Sequence, residues 1–145
     1  MTSYLTTGMA QLKSTFPGHV HFENDPNYSS NNRSYWTPAV ILKPSCIFTP
    51  TQPSQVSQAF KIISAAQIPF AVRGGGRNTN VGWSNINNGV LISSSELKGL
   101  EFGEREGKRV LKVAVGMTQI EIFRLLKGTG LVISTGKTSF LYHTC

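Results

Sequence analysis

The chain has 145 residues, 39% hydrophobic and 14% charged, with 14 glycines; this suits one globular domain or part of a larger one and excludes a disordered, low-complexity chain. Lys and Arg number 14 against 7 Asp and Glu, a formal net charge of +7, which is open to a nucleic-acid, membrane-surface or anionic-ligand partner. The basic residues are scattered, and the one cluster, Arg105, Lys108, Arg109 and Lys112, has Glu104 and Glu106 among it, so no basic stripe interleaved with aromatics marks a nucleic-acid surface.

Residues 1–36 are polar and rich in Asn and Ser, and the pattern predicts a short helix around Gly8–Ser14 with irregular chain after it. Ala39-Val40-Ile41-Leu42 is a continuous apolar run between Pro38 and Pro44, as expected of a buried strand, and Ile47 and Phe48 could continue it. Thr51 is placed to cap a helix whose first turn accepts Pro53. Val56, Ala59, Phe60 and Ile63 then recur at one-face helical spacing, and Pro69 ends the helix near Gln67. Ile68 to Val72 and Gly89 to Ile92 predict two short strands. The alternation from Lys108 to Val115 predicts a strand paired with Leu100–Phe102 across a Gly103–Gly107 turn. Thr118 and Glu121 have capping-box spacing and open a helix carrying Ile122, Phe123, Leu125 and Leu126. It ends at Gly128 or Gly130, and Leu131-Val132-Ile133 begins another strand. Strands alternating with helices place the chain in the α/β or α+β class.

The remaining signals are weak. Cys46 and Cys145 carry no metal-ligand spacing, and a bridge between them is geometrically open. His19 and His21 lack acidic or thiol partners in a metal-like pattern and are expected to be exposed, so no metal site is expected. No stretch is long enough to span a membrane, and the first residues lack the apolar core of a secretory signal. Without such a signal the sequons at Asn27 and Asn32 are expected to go unused.

One motif carries chemistry. Arg73-Gly74-Gly75-Gly76-Arg77 directly follows a predicted strand and runs on through Asn78, Thr79, Asn80, Val81 and Gly82. A glycine run costs backbone entropy, and it is useful where φ must be positive or a ligand must approach the backbone. Amides exposed in such a turn form a concave nest for anions, and Arg73 and Arg77 add positive charge. A pyrophosphate fits this description. A tight surface loop without ligand is the plain alternative. The Rossmann fingerprint fails because Thr79 stands at its sixth position. The Walker A pattern fails at Gly136-Lys137-Thr138, where Leu131 occupies the place of its first glycine.

The ordered set Tyr35-Trp36, Leu42 to Cys46, Pro50, Val56-Ser57, Ile68 to Gly76, Asn80 to Ile86, Gly89 to Ile92, Val113 to Gly116 and Gly130 to Val132 resembles the FAD-binding (PCMH-type) domain of vanillyl-alcohol oxidases and berberine-bridge-type enzymes. In particular it is similar to fungal FAD-linked oxidoreductases of secondary-metabolite pathways. The resemblance implies an α+β fold of small sheets with flanking helices. It implies an N-terminal polar segment at residues 1–34, a partial FAD-binding domain at 35–137 and an unmatched tail at 138–145. It also implies FAD as cofactor, with its pyrophosphate on the backbone of Gly74, Gly75, Gly76, Arg77 and Asn78, and with Arg73, Thr79, Asn80 and Gly82 in the same loop. The substrate would be a small molecule. Many relatives carry a flavin-linking histidine after the three glycines; here that position is Arg77, so the cofactor is expected to be non-covalent. Members are often secreted, which leaves localisation open for a chain with no visible signal.

The family pattern continues into a second glycine-rich flavin loop and a substrate domain, and the chain is expected to stop before them. No catalytic residue is assigned, and Tyr142 and His143 in the tail are given no role. The alternatives are an inactive remnant and a small basic nucleotide- or nucleic-acid-binding module.

Overall fold

The computed structural model describes residues 2–133. The expectations for residues 134–145 lie outside them: the tail with Tyr142 and His143, the broken phosphate-loop pattern at Gly136-Lys137-Thr138, and the pairing of Cys145.

A four-stranded sheet has the order β1 (Val20–Phe22), β2 (Cys46–Phe48), β4 (Val90–Ser93), β3 (Phe70–Arg73). β1 is antiparallel to β2, whereas β2, β4 and β3 run parallel. Side chains alternate across it. Cys46, Phe48, Val90 and Ile92 meet Met9, Leu12 and Phe16 of α1 (Thr2–Thr15) and Ala59 and Ile63 of α3 (Pro53–Ala65). Ile47, Ala71 and Leu91 face the other way, under Ile86 and under Tyr28 of α2 (Pro26–Asn32). Full burial of a Leu, Phe or Met side chain contributes roughly 1.5–3 kcal/mol, and Met9, Leu12 and Phe16 hold α1 on the sheet in this way. Burial pushes the Cys46 thiol up to about 12, which leaves it inert. The mixed class, with small sheets and flanking helices, is α+β as expected.

Several local expectations are corrected. Ala39–Leu42 is not a strand: Pro38–Val40 form one 3-10 turn capped by Thr37. Side chains take the backbone acceptors of that run, Asn85 reaching the Val40 carbonyl at 3.5 Å and Asn32 the Leu42 carbonyl at 2.9 Å. The strand is Cys46–Phe48, which finds a neighbour on each side. The chain after α1 is not irregular, because Asp25 accepts the Phe22 amide at 2.7 Å and fixes the turn between β1 and α2. His21 is not exposed: pairing of β1 on β2 buries it to 7% exposure, where Nε2 shares a 3.2 Å hydrogen bond with the Thr49 hydroxyl. Phe60 is 48% exposed and packs edge-on against Phe70 at 5.3 Å, while Ile62 and Ala66 join Ala59 and Ile63 on the core face. The residue that caps α3 is Gln52, one later than expected: its amide, together with the amide and hydroxyl of Thr51, donates to Gln55 Oε1.

The hairpin of β5 (Leu100–Arg105) and β6 (Lys108–Val113) is longer than expected. Glu106 and Gly107, at φ 53° and 73°, make the two-residue turn whose twist matches paired strands. Ile122 and Leu126 of α4 (Gln119–Leu126) pack on Val113, whereas Phe123 and Leu125 are exposed. Leu131 and Ile133 lie against this cluster, and residues 131–133 form no strand.

The capping box of α4 is present: the Thr118 hydroxyl accepts the Glu121 amide at 3.3 Å, and Glu121 accepts the Thr118 amide at 2.6 Å. The Lys98 ammonium and the Thr118 amide lower the Glu121 carboxyl to about 2. Thr118→Ala is expected to cost about 1 kcal/mol, read as a lowered denaturation midpoint and faster amide exchange in α4.

Burial, then the Lys13 charge, lower the His21 pKa below its ordinary 6.5. The neutral ring is therefore the folded form, and its contribution is present above pH 6.5 and lost as pH falls through the lowered folded value. Melting temperature is expected to fall as pH drops below 6.5, with a shallower fall in His21→Gln; an identical slope in the variant would contradict this.

Candidate functional site

The parallel strands put their carboxyl ends along one edge of the sheet, the side on which open parallel sheets place ligand crevices. β3 runs out there into the loop of residues 74–89, and β4 into the turn Ser94–Glu96. All the sequence-predicted site residues, Arg73 to Asn80 and Gly82, therefore sit together at this edge.

The loop is fixed at its base and open in its middle. At its far end the Asn88 amide donates to the Lys43 carbonyl at 3.1 Å, and the Lys43 amide donates to Asn87 Oδ1 at 2.8 Å. Asn85 is buried at 1% exposure and donates to Asn32 Oδ1 at 3.4 Å. Within the loop, the Asn78 side chain accepts the Asn80 amide at 2.9 Å, an Asx turn, and the Trp83 amide donates to the Asn80 carbonyl at 3.3 Å. Gly82 follows with φ +83°. Residues 77–83 are exposed throughout.

The glycines differ in what they permit. Gly76 is buried at φ +69°, and a Cβ there would lie 2.4 Å from the Ser34 carbonyl oxygen. The Trp36 amide donates to the Gly76 carbonyl at 3.0 Å. The chain itself thus fills the space beside Gly76. Gly74 is exposed, and a Cβ there would meet nothing within 4 Å. Packing within the described residues therefore gives no reason for glycine at Gly74, whereas close approach of a ligand does.

The two arginines also differ. Arg77 is exposed, with its guanidinium 4.0 Å over the Trp36 ring. Arg73 is 1% exposed, 4.7 Å over the Tyr35 ring, and donates from Nη2 to the Ser93 hydroxyl at 2.9 Å. The Tyr35 hydroxyl donates to the Ser84 carbonyl at 2.6 Å, and burial raises its pKa despite the opposing Arg73 charge, so it is neutral. Tyr35, Trp36 and Ser93 were missed as site residues, because a pair of aromatics far back in the chain carries no sequence signal for contact with two later arginines.

The donor set fits a phosphate-bearing cofactor. Among the described residues, Arg73 Nη1 is buried without a partner, and no carboxylate pairs with Arg73. A buried cation without a counter-charge is costly, and an anion nearby offsets that cost. The amides of Gly75 and Thr79 find no partner among the described residues either. No group of three or more His, Cys, Asp or Glu is arranged to hold a metal among them, and no helix there is long and apolar enough to cross a membrane. An apolar hollow of about 440 Å³ between the hairpin and α4 is lined by Val110, Leu111, Leu126 and Leu131 and offers an anion little beyond Arg109.

The fold is a mixed α+β domain with an open glycine loop at the carboxyl edge of its parallel strands. The chain belongs to the FAD binding domain family, whose model matches residues 44–140. It is 31% identical over 120 residues to an uncharacterised FAD-linked oxidoreductase of Arthroderma benhamiae, covering 81% of this chain and 24% of that protein. It is 27% identical to the FAD-dependent monooxygenase tpcD of Cochliobolus heterostrophus, covering 82% and 23%, and 27% identical to the bifunctional solanapyrone synthase of Alternaria solani, covering 77% and 21%. Among solved structures the fold is shared with aclacinomycin oxidoreductase at TM-score 0.69 and 22% identity, covering 84% of this chain and 25% of that one. It is also shared with CrmK, a flavoenzyme of caerulomycin biosynthesis, at TM-score 0.68 and 22% identity, covering 81% and 23%. The matching family model makes FAD the cofactor of this domain, and the solved structures share its fold. The chain spans about a quarter of the length of the curated relatives it matches.

Gly76→Ala is expected to destabilise the fold by roughly 2–5 kcal/mol, combining left-handed backbone strain with overpacking. Gly74→Ala is expected to stay within about 0.5 kcal/mol. Parallel denaturant titrations check both.

Proposed function

We propose that the loop from Arg73 to Gly82 is the pyrophosphate cradle for FAD. The backbone amides of Gly74, Gly75, Gly76, Arg77 and Asn78 would hold the diphosphate, and Thr79, Asn80 and Gly82 would continue the cradle. The Arg77 guanidinium would pair with phosphate oxygens, and buried Arg73 would support the turn from beneath with its charge. The single observation carrying this reading is the exposed loop at the carboxyl edge of the sheet, with open space at Gly74 and, at Gly75 and Thr79, amides that have no partner among the described residues.

FAD would be held without a covalent bond, because Arg77 stands where many relatives carry the linking histidine, and a guanidinium offers no imidazole nitrogen to form that bond. Bound FAD would supply hydride acceptance, and the residues of this chain bind and orient it. We assign the protein to FAD-linked oxidation of a small molecule. The names of relatives such as the solanapyrone synthase support a fungal secondary-metabolite setting.

Titration of the chain with FAD, followed by flavin fluorescence, tests the cradle. Binding is expected for the unaltered chain, with an at least tenfold loss in Gly74→Val and a matched melting temperature. Equal affinity in that variant would contradict ligand approach at Gly74. Acid precipitation of the complex is expected to release all flavin to the supernatant; flavin retained on the protein would overturn the non-covalent assignment.

A further inference from the structure

Tyr35 and Trp36 are neighbours in sequence, and each lies under one of the two arginines that bound the glycine turn. Tyr35 lies under Arg73 at 4.7 Å and Trp36 under Arg77 at 4.0 Å. The two pairs differ in setting. The Tyr35 pair is interior, with Arg73 at 1% exposure. The Trp36 pair is at the surface, with Trp36 68% exposed. An indole exposed to that degree adds little to the core, so its packing alone does not account for it. Its backbone is nevertheless fixed to the cradle, because its amide bonds the Gly76 carbonyl at 3.0 Å and the preceding Ser34 carbonyl closes on Gly76. The Trp36 backbone is thereby anchored beside the turn, and the Arg77 guanidinium rests on the face of its ring.

We propose that Trp36 is a positioning residue for FAD: it holds the Arg77 guanidinium over the glycine turn, where that cation meets the diphosphate. This rests on the reading of the loop as the FAD cradle. A free arginine side chain has several rotatable bonds and loses their freedom on pairing with a ligand. Stacking on an indole whose backbone is anchored restricts the side chain beforehand, so less of that cost falls on binding. The effect reaches the ligand through charge. It therefore concerns the phosphates and not the isoalloxazine.

The test uses the full 145-residue chain and two probes, FAD and riboflavin, the latter lacking phosphate. Trp36→Leu is expected to weaken FAD by about two- to five-fold, the scale of an exposed cation–π contact, and to flatten the salt dependence of binding. Trp36→Phe, which keeps an aromatic face, is expected to restore most of the affinity. Riboflavin affinity is expected to be unchanged in both. In an Arg77→Ala background, Trp36→Leu is expected to cause no further loss. The exposure of Trp36 and the retained amide bond keep the variants folded, which matched melting temperatures check. Losses that multiply across the double variant, or an equal loss for riboflavin, overturn the proposal while leaving the cradle standing. Failure of the unaltered chain to bind FAD overturns the cradle and this inference together.

Discussion

The close approach of two backbone segments, Ser34–Trp36 and Gly76, organises the carboxyl edge of the sheet. Only a glycine fits there, since any side chain would meet the Ser34 carbonyl oxygen. With the Trp36 amide bonded to the Gly76 carbonyl, the contact ties the turn after β3 to the Ser34–Trp36 segment. Two of the three consecutive glycines therefore serve different ends. Gly76 serves the packing of the chain on itself, and Gly74 leaves a surface that a ligand can approach.

Charge is distributed by the same contact. Of the two arginines around the turn, one is committed to the interior and one to the surface. Arg73 is sealed between Tyr35 and Ser93, and its burial without a carboxylate leaves a positive centre beneath the turn. Arg77 stands outside on Trp36. An anion at the turn would meet positive charge from both arginines. The polar braces at Asn85, Asn87 and Asn88 hold the rest of the loop to the 32–43 segment.

Much of this was legible in the sequence. The α3 helix, strands β3 and β4, the hairpin and the capping box of α4 follow from periodicity and from local turn and cap chemistry, which act over a few residues. The glycine loop was legible as a loop because three glycines between two arginines directly follow a strand. What failed was non-local. Ala39–Leu42 reads as a strand, but side chains of Asn32 and Asn85 take its carbonyls. β1 is a three-residue strand whose pairing with β2 no pattern announces, and that pairing is what buries His21. Phe60 fits the helical stripe, yet α3 presents Ala59 and Ile63 to the sheet and turns Phe60 toward Phe70 at its edge. The roles of Tyr35 and Trp36 depend on contacts across most of the domain, which residue spacing does not encode.

The most direct measurement is amide hydrogen exchange, resolved by residue, with and without FAD. The account expects slowed exchange concentrated at residues 74–79 on adding FAD, while Gly76, already packed against Ser34, changes less than Gly75. Unchanged exchange across that loop, with protection appearing only around the hairpin and α4, would contradict the assignment of the cradle.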